Sequence, residues 1–276
     1  MNVKSLINIT IPTNEIENLE QHLLLTKIII PTSITKIKDN IFDNSKLISE
    51  IIIPSSITKI GKKSFKGFSS LMNISIPSSI TSIGIECFSG CSSLKKIEIP
   101  KSVTEIKDNL FENCSSLNEI TIPLYISKIG SKSFKRCSSL KQIIIPENVT
   151  YIGEECFSEC TSLSEVVIQC ALKKIEKSTF NSCKNLKNIT IPKGVVIIDD
   201  NAFAGCSSLT NIDLLEGITT IGSSAFSKCS SLTHIFISNT VKTIGNEAFE
   251  NCSSLRLFSI PELSNLNLIG VRSKVE

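Results

Sequence analysis

Residues 71–94 read LMNISIPSSITSIGIECFSGCSSL, and this pattern returns along the chain with a period of 23 residues. Ten phenylalanines keep the register: Phe42, Phe65, Phe88, Phe111, Phe134, Phe157, Phe180, Phe203, Phe226 and Phe249. Five residues before each stands an isoleucine, from Ile37 and Ile60 through to Ile221 and Ile244. Six residues after each stands a leucine, from Leu71 to Leu255, with Ile48 in the first slot. Pro54, Pro77, Pro100, Pro123, Pro146, Pro192 and Pro261 follow the paired branched residues, as in Ile74-Ser75-Ile76-Pro77. A register held over this length identifies a repeat array.

The unit itself predicts its local structure. Ile-x-Ile alternates with period two, so it reads as a short strand with both isoleucines on one face. The proline that follows has no N–H and ends the strand. A second extended piece, Ile-Thr-x-Ile-Gly, comes next, and Gly61, Gly84, Gly130, Gly153, Gly222 and Gly245 are expected at turns with positive φ. The segment carrying Phe and Cys-Ser-Ser is too short for a long helix and reads as a 3₁₀ or single helical turn. One unit alone buries too few apolar groups to offset the ordering of its 23 residues, so the coils must stack. The expected fold class is a repeat solenoid of mostly short parallel β-strands with turns and 3₁₀ segments and little α-helix. We read residues 1–276 as a single solenoid, with an incomplete or capping unit over 1–31, about ten repeats over 32–261, and a C-terminal cap or tail over 262–276. In the first of these, Asn14 and Glu17 resemble a capping box, and Ile16, Leu19, Leu23 and Leu24 suit one face of a short helix.

Composition narrows the function classes. The net charge of +3 and the 5% aromatic content give no pull toward nucleic acid and no material for an aromatic cage. Met1 to Gln21 has no apolar signal-peptide core, and the run from Leu23 to Ile30 is far shorter than a membrane helix. Asn2 excludes myristoylation, and the C-terminus lacks a prenylation cysteine. This reading favours the cytoplasm and no direct insertion into a membrane.

Chemistry-bearing residues are few. His22 and His234 are isolated from any Ser or Cys nucleophile motif, and the glycines stand singly rather than in a phosphate-cradling loop. No catalytic, cofactor-binding or metal residue is assigned. Eight of the eleven cysteines (Cys91, Cys114, Cys137, Cys160, Cys183, Cys206, Cys229 and Cys252) follow their Phe by three residues. Phe68 fills the same slot, which favours buried packing of free thiols; disulfides between coils and metal binding are the alternatives. Cys170 is expected to be exposed in a turn. The odd number of unpaired thiols points to a reducing compartment. Six Asn-x-Ser/Thr sequons (Asn8, Asn73, Asn113, Asn148, Asn188 and Asn251) read as products of the repeat composition.

Charges alternate between neighbouring coils: Lys59, Lys62, Lys63 and Lys66 are basic, Glu105, Asp108 and Glu112 acidic, Lys128, Lys132, Lys135 and Arg136 basic again. That argues against a continuous basic stripe, hence against nucleic acid. The middle outward positions of the main strand are Ile52, Ser75, Glu98, Thr121, Ile144, Val167, Thr190, Asp213, Phe236 and Ser259. Two apolar spots interrupt this polar column, Ile144 with Val167, and His234 with Phe236 and Leu257. They form the candidate protein-binding face. The threonines Thr35, Thr58, Thr81, Thr104, Thr150 and Thr219 are read as strand propensity.

Leu71-x-x-Ile74-x-Ile76 is similar to the opening of a leucine-rich repeat, with Ser79 where Asn or Cys is usual and Pro77 after the strand. Together with the Phe-x-x-Cys-Ser-Ser-Leu segment, the unit resembles the BspA-type leucine-rich repeat over about residues 19–261. The resemblance implies an elongated scaffold with a binding role, often at cell surfaces, and carries over no catalytic residue. The functional expectation is a non-catalytic protein-binding repeat scaffold that uses the outward face of its main sheet. A cell-surface adhesin for host protein or extracellular matrix is the alternative; an enzyme has least support. No oligomeric state is set by the sequence.

Overall fold

The computed structural model describes residues 26–42 and 45–256 with their side chains, and Asn8–Thr10 and Leu257–Ser259 as backbone strands. The helix expected over the first residues and the C-terminal cap lie outside the described residues. The chain winds as a parallel β-solenoid without helix among the described residues, so none of them forms a helix long and apolar enough to cross a membrane.

Each coil gives one strand to each of two ladders. The main ladder takes the Ile-x-Ile strands, such as Lys96–Glu98, Glu119–Thr121, Gln142–Ile145 and Glu165–Ile168. The second ladder takes two-residue strands ending on the Ile before Gly, such as Lys128–Ile129 and Tyr151–Ile152. All pairs are parallel, and partners are one repeat apart, as in Ile97 with Ile120 and Ile129 with Ile152. Asn8 pairs with Lys27, a shorter step that matches the shorter spacing of Pro12 and Pro31.

The third side is a surprise relative to the sequence reading. The segment from Phe to Cys does form the expected i to i+3 bonds, as in Cys91 N–H to Phe88 C=O at 3.1 Å. Residues two before and two after the Phe interrupt any helical continuation, because they are left-handed, as Lys63 (φ 58°) and Gly67 (φ 76°). The consequence is a third hydrogen-bonded face. Lys63, Phe65 and Gly67 N–H donate to the carbonyls of Ile85, Cys87 and Ser89 on the next coil, at 2.9, 3.0 and 2.7 Å. None of the non-glycine left-handed residues is β-branched, the side-chain type for which this conformation costs most.

The glycines of the Ile-Gly pairs differ from expectation. Gly61, Gly84, Gly130, Gly153, Gly222 and Gly245 do not have positive φ. They are small because the coils touch there: a Cβ on Gly84 would lie 2.4 Å from Lys62 N, and one on Gly153 would lie 2.4 Å from Ser131 N.

The inward residues form one core. The Phe column is buried from Phe42 to Phe249, with the Leu, Ile and Cys columns around it. Successive rings stack at 5.3–5.8 Å between centroids. The largest tilt, 31° between Phe65 and Phe88, occurs where Phe68 occupies the cysteine slot and leans on Phe65 at 57°.

Candidate interaction surface

The main strand presents its outward residues to solvent because its neighbours on either side in sequence face the core. Ile143 and Ile145 are buried, so Ile144 between them must point out. It pairs in register with Val167. Their exposures, 53% for Ile144 and 37% for Val167, make a two-coil apolar spot between Thr121 and Thr190. Phe236 is 57% exposed and pairs with Asp213 and Ser259 on its two neighbours. His234 is exposed on the same strand, with Nδ1 2.9 Å from the Thr233 hydroxyl. The two spots are separate, because the polar Thr190 and Asp213 coils intervene. Leu257 lies in the last strand, and its side chain is outside the described residues.

A third apolar feature escaped the sequence reading. Leu124 and Tyr125 are exposed in the turn after Pro123, which Asn148 Nδ2 pins through a 2.8 Å bond to the Leu124 carbonyl. The signal was in the sequence: the comparable pairs Ser55-Ser56 and Ser78-Ser79 are polar.

The Phe-turn side is polar. A cleft of about 680 Å³ crosses four coils there, between Asn113 and Lys184. Arg136 Nε donates to Glu159 Oε2 at 3.0 Å across it. The expected alternation of charge becomes ion pairs between coils: Lys63 and Lys66 with Glu86, Lys132 and Lys135 with Glu155, and Lys174 with Asp199. Burial alone would raise the Glu86 carboxyl. The hydrogen bond and charge of Lys66, with Lys63, outweigh it and hold Glu86 below the usual carboxylate range.

The cysteines are free, and all but Cys252 are buried, including Cys170, which was expected to be exposed. They also do more than fill space. Cys91 Sγ donates to the Phe65 carbonyl at 3.2 Å, and the same bond recurs in each later coil up to Cys252 and Phe226 at 3.1 Å. Burial pushes the Cys91, Cys156 and Cys206 thiols up to about 12, so they stay protonated and unreactive. The threonine column is likewise bonded: Thr58 Oγ1 donates to the Thr35 carbonyl at 3.3 Å and Thr81 Oγ1 to the Thr58 carbonyl at 3.2 Å. No group of three or more metal-ligating side chains is assembled among the described residues.

Three bacterial proteins of known structure share this architecture. A leucine rich cell surface protein from Faecalibacterium prausnitzii A2-165 is 28% identical, with 86% of this chain and 67% of that chain covered and a TM-score of 0.62. A leucine-rich repeat protein from Bacteroides ovatus ATCC 8483 is 26% identical, with 84% and 78% covered and a TM-score of 0.57. A leucine-rich repeat protein from Eubacterium ventriosum ATCC 27560, 19% identical over 89% of this chain and 88% of that one, shares the fold at a TM-score of 0.55. No curated protein is significantly similar to the chain. The family described as BspA type leucine rich repeat region matches residues 1–118, 58–187 and 173–273, in six copies. With its sequence matched almost end to end and its Phe and Cys columns stacked as that unit requires, the chain belongs to the BspA-type leucine-rich-repeat family.

Proposed function

We propose that residues 1–276 act as one non-catalytic scaffold that binds a protein through the outward face of the main ladder, centred on Ile144 and Val167. The observation that carries this reading is an in-register apolar pair left in solvent, with polar Thr121 and Thr190 on the coils to either side. A repeat array holds its backbone constant while its outward residues vary, which suits recognition. Such a pair contributes to binding by losing water against a partner's apolar group, at roughly 25 cal/mol per Å². Phe236 and His234 form a second contact on the same face, one that a long partner reaches along the rod. A photo-crosslinking residue at 144 should trap a discrete protein in extracts of the native cell, and Val167→Asp should abolish the adduct. Equal trapping from position 184, on the Phe-turn side, would go against a specific sheet-face site.

The second reading is a cell-surface adhesin for host protein or matrix. It is favoured by the cell-surface description of the Faecalibacterium protein, 28% identical to this chain. The sequence leans toward the cytoplasm in part through its unpaired thiols. Ten of the eleven are buried and unavailable for bridging, which weakens that lean. Biotinylation of intact cells separates the two readings: a labelled chain is a surface protein, and an unlabelled one is an internal scaffold.

A further inference from the structure

The outward column of the second ladder runs Lys36, Lys59, Ser82, Glu105, Lys128, Tyr151 and Lys174 toward the C-terminal coils. Along it, cations are compensated. Lys128 sits beside Glu105 in register and over the Tyr151 ring at 5.3 Å. Lys174 pairs with Glu176 and Asp199 at 2.8 and 2.7 Å. The first junction breaks the rule. Lys36 and Lys59 are direct ladder partners, both exposed, and like charges opposite each other repel. Neither has an ion-pair partner among the described residues, and the same holds for Lys38 and Lys62, which are exposed on the same two coils. Asp39 makes no ion pair with them among the described residues; its Oδ1 accepts the Lys62 backbone N–H at 2.7 Å. Around the corner, Lys63 and Lys66 share one carboxylate, Glu86. Among the described residues, six lysines on two coils thus face two carboxylates, Asp39 and, on the next coil, Glu86.

The geometry points to this strip as a binding site for a sulfated polysaccharide. The described residues leave the strip with an excess of positive charge, and the strip's shape selects the polyanion. It runs across the rod axis and bends from the strand face round the left-handed residue Lys63. A flexible linear polyanion can follow that bend, whereas a flat bilayer or a stiff duplex meets only part of it. Single-stranded nucleic acid is disfavoured because its bases need exposed aromatic platforms, and these two coils expose none among the described residues. The site is on a different face from the main ladder, so it is independent of the protein-binding reading.

Titration of the full chain with a size-defined heparin oligosaccharide tests it, followed by calorimetry at about 0.15 M salt. Binding should weaken with rising salt, as counterions compete for the lysines. The double variant Lys36→Gln with Lys59→Gln should weaken it about tenfold or more, by loss of two charge contacts. Lys184→Gln with Lys187→Gln, at exposed lysines elsewhere, should leave it unchanged. The Lys184/Lys187 variant should melt as the parent does, and the Lys36/Lys59 variant should melt no lower, since it removes a like-charge pair at exposed positions. No binding of heparin, equal loss in both double variants, or tighter binding of phosphatidylserine vesicles or oligo(dT) than of heparin would each overturn the assignment.

Discussion

The second ladder and the Phe turns cross the same coil junctions, and they behave differently. The ladder is interrupted between Ser82–Ile83 and Glu105–Ile106, and again between Tyr151–Ile152 and Lys174–Ile175. At both breaks a coil with Lys107 or Glu176 in the glycine slot lies on a coil with Gly84 or Gly153. A Cβ is crowded there, as the 2.4 Å approaches at the glycines show, although Asp199 stands in the same slot over Glu176 and Ile198 still pairs with Ile175. The turn face does not notice. Glu86, Phe88 and Gly90 bond to Asp108, Leu110 and Glu112 across the first break, and Glu155, Phe157 and Glu159 bond to Lys177, Thr179 and Asn181 across the second. The main ladder has its own interruptions, after Glu50–Ile52 and after Glu119–Thr121, and the second ladder is continuous at both. At each of these interrupted junctions at least two of the three sides stay bonded. The lesson is that the Phe side fixes the register, while the strands can lose a rung.

Breaking that side should therefore cost most. Phe157→Ala removes a ring stacked at 5.6 Å on Phe180 across an interrupted junction. It should cost about 3–5 kcal/mol, read by urea denaturation, and should split the transition in two if the junction is held mainly by that stack. A loss below about 1 kcal/mol would mean the ring column is not the spine of the rod. Gly153→Ala tests the strand side: its Cβ would meet Ser131 backbone at 2.4 Å, and the expected loss is about 1–3 kcal/mol. Glu159→Val puts a β-branched side chain at φ 62° and should cost about 1–2 kcal/mol, whereas Glu159→Gly should not destabilise through the backbone.

Alkali probes the thiol column. Cys156 and Cys206 are raised by burial from an ordinary value near 9 to about 12, so the folded chain binds protons that the unfolded chain has released. Their contribution is whole below pH 9 and is lost as pH rises through 12; melting temperature should fall over that window, and absorbance of thiolate should appear only with unfolding. Hydrogen exchange gives the gentlest contrast. Thr104 and Lys107 N–H have no backbone acceptor across the broken junction and should exchange quickly, whereas Asn109 and Phe111, bonded to Ser131 and Ser133 at 2.9 and 2.8 Å, should be protected. Equal protection would erase the distinction between the two sides.

Much of this was legible beforehand. The Phe period gave the stack, Ile-x-Ile gave the main ladder, and alternating charge anticipated the Lys135–Glu155 pair. What stayed hidden had a common cause: backbone geometry between coils leaves little trace in residue type. Gly84 looked like a turn glycine, but its reason is contact with the coil before it. The truly left-handed Lys63 and Glu86 carry side chains that give no warning, since the bonds their N–H groups make to the next coil offset the strain. Cys91 read as a small apolar filler because the acceptor of its thiol, the Phe65 carbonyl, lies 26 residues away in sequence. The binding face was only half legible: alternation revealed Ile144 and Val167, while Leu124 and Tyr125 sit in a turn where period-two logic does not apply.

Three N–H groups of a Phe turn, as at Lys63, Phe65 and Gly67, point the same way and donate to the following coil. In a parallel ladder neighbouring peptides donate to opposite sides and their moments nearly cancel. Here they add along one side, while the N–H groups of Thr81, Gly84 and Lys95 donate the other way, to the preceding coil, so two sides of the rod carry opposed polarities.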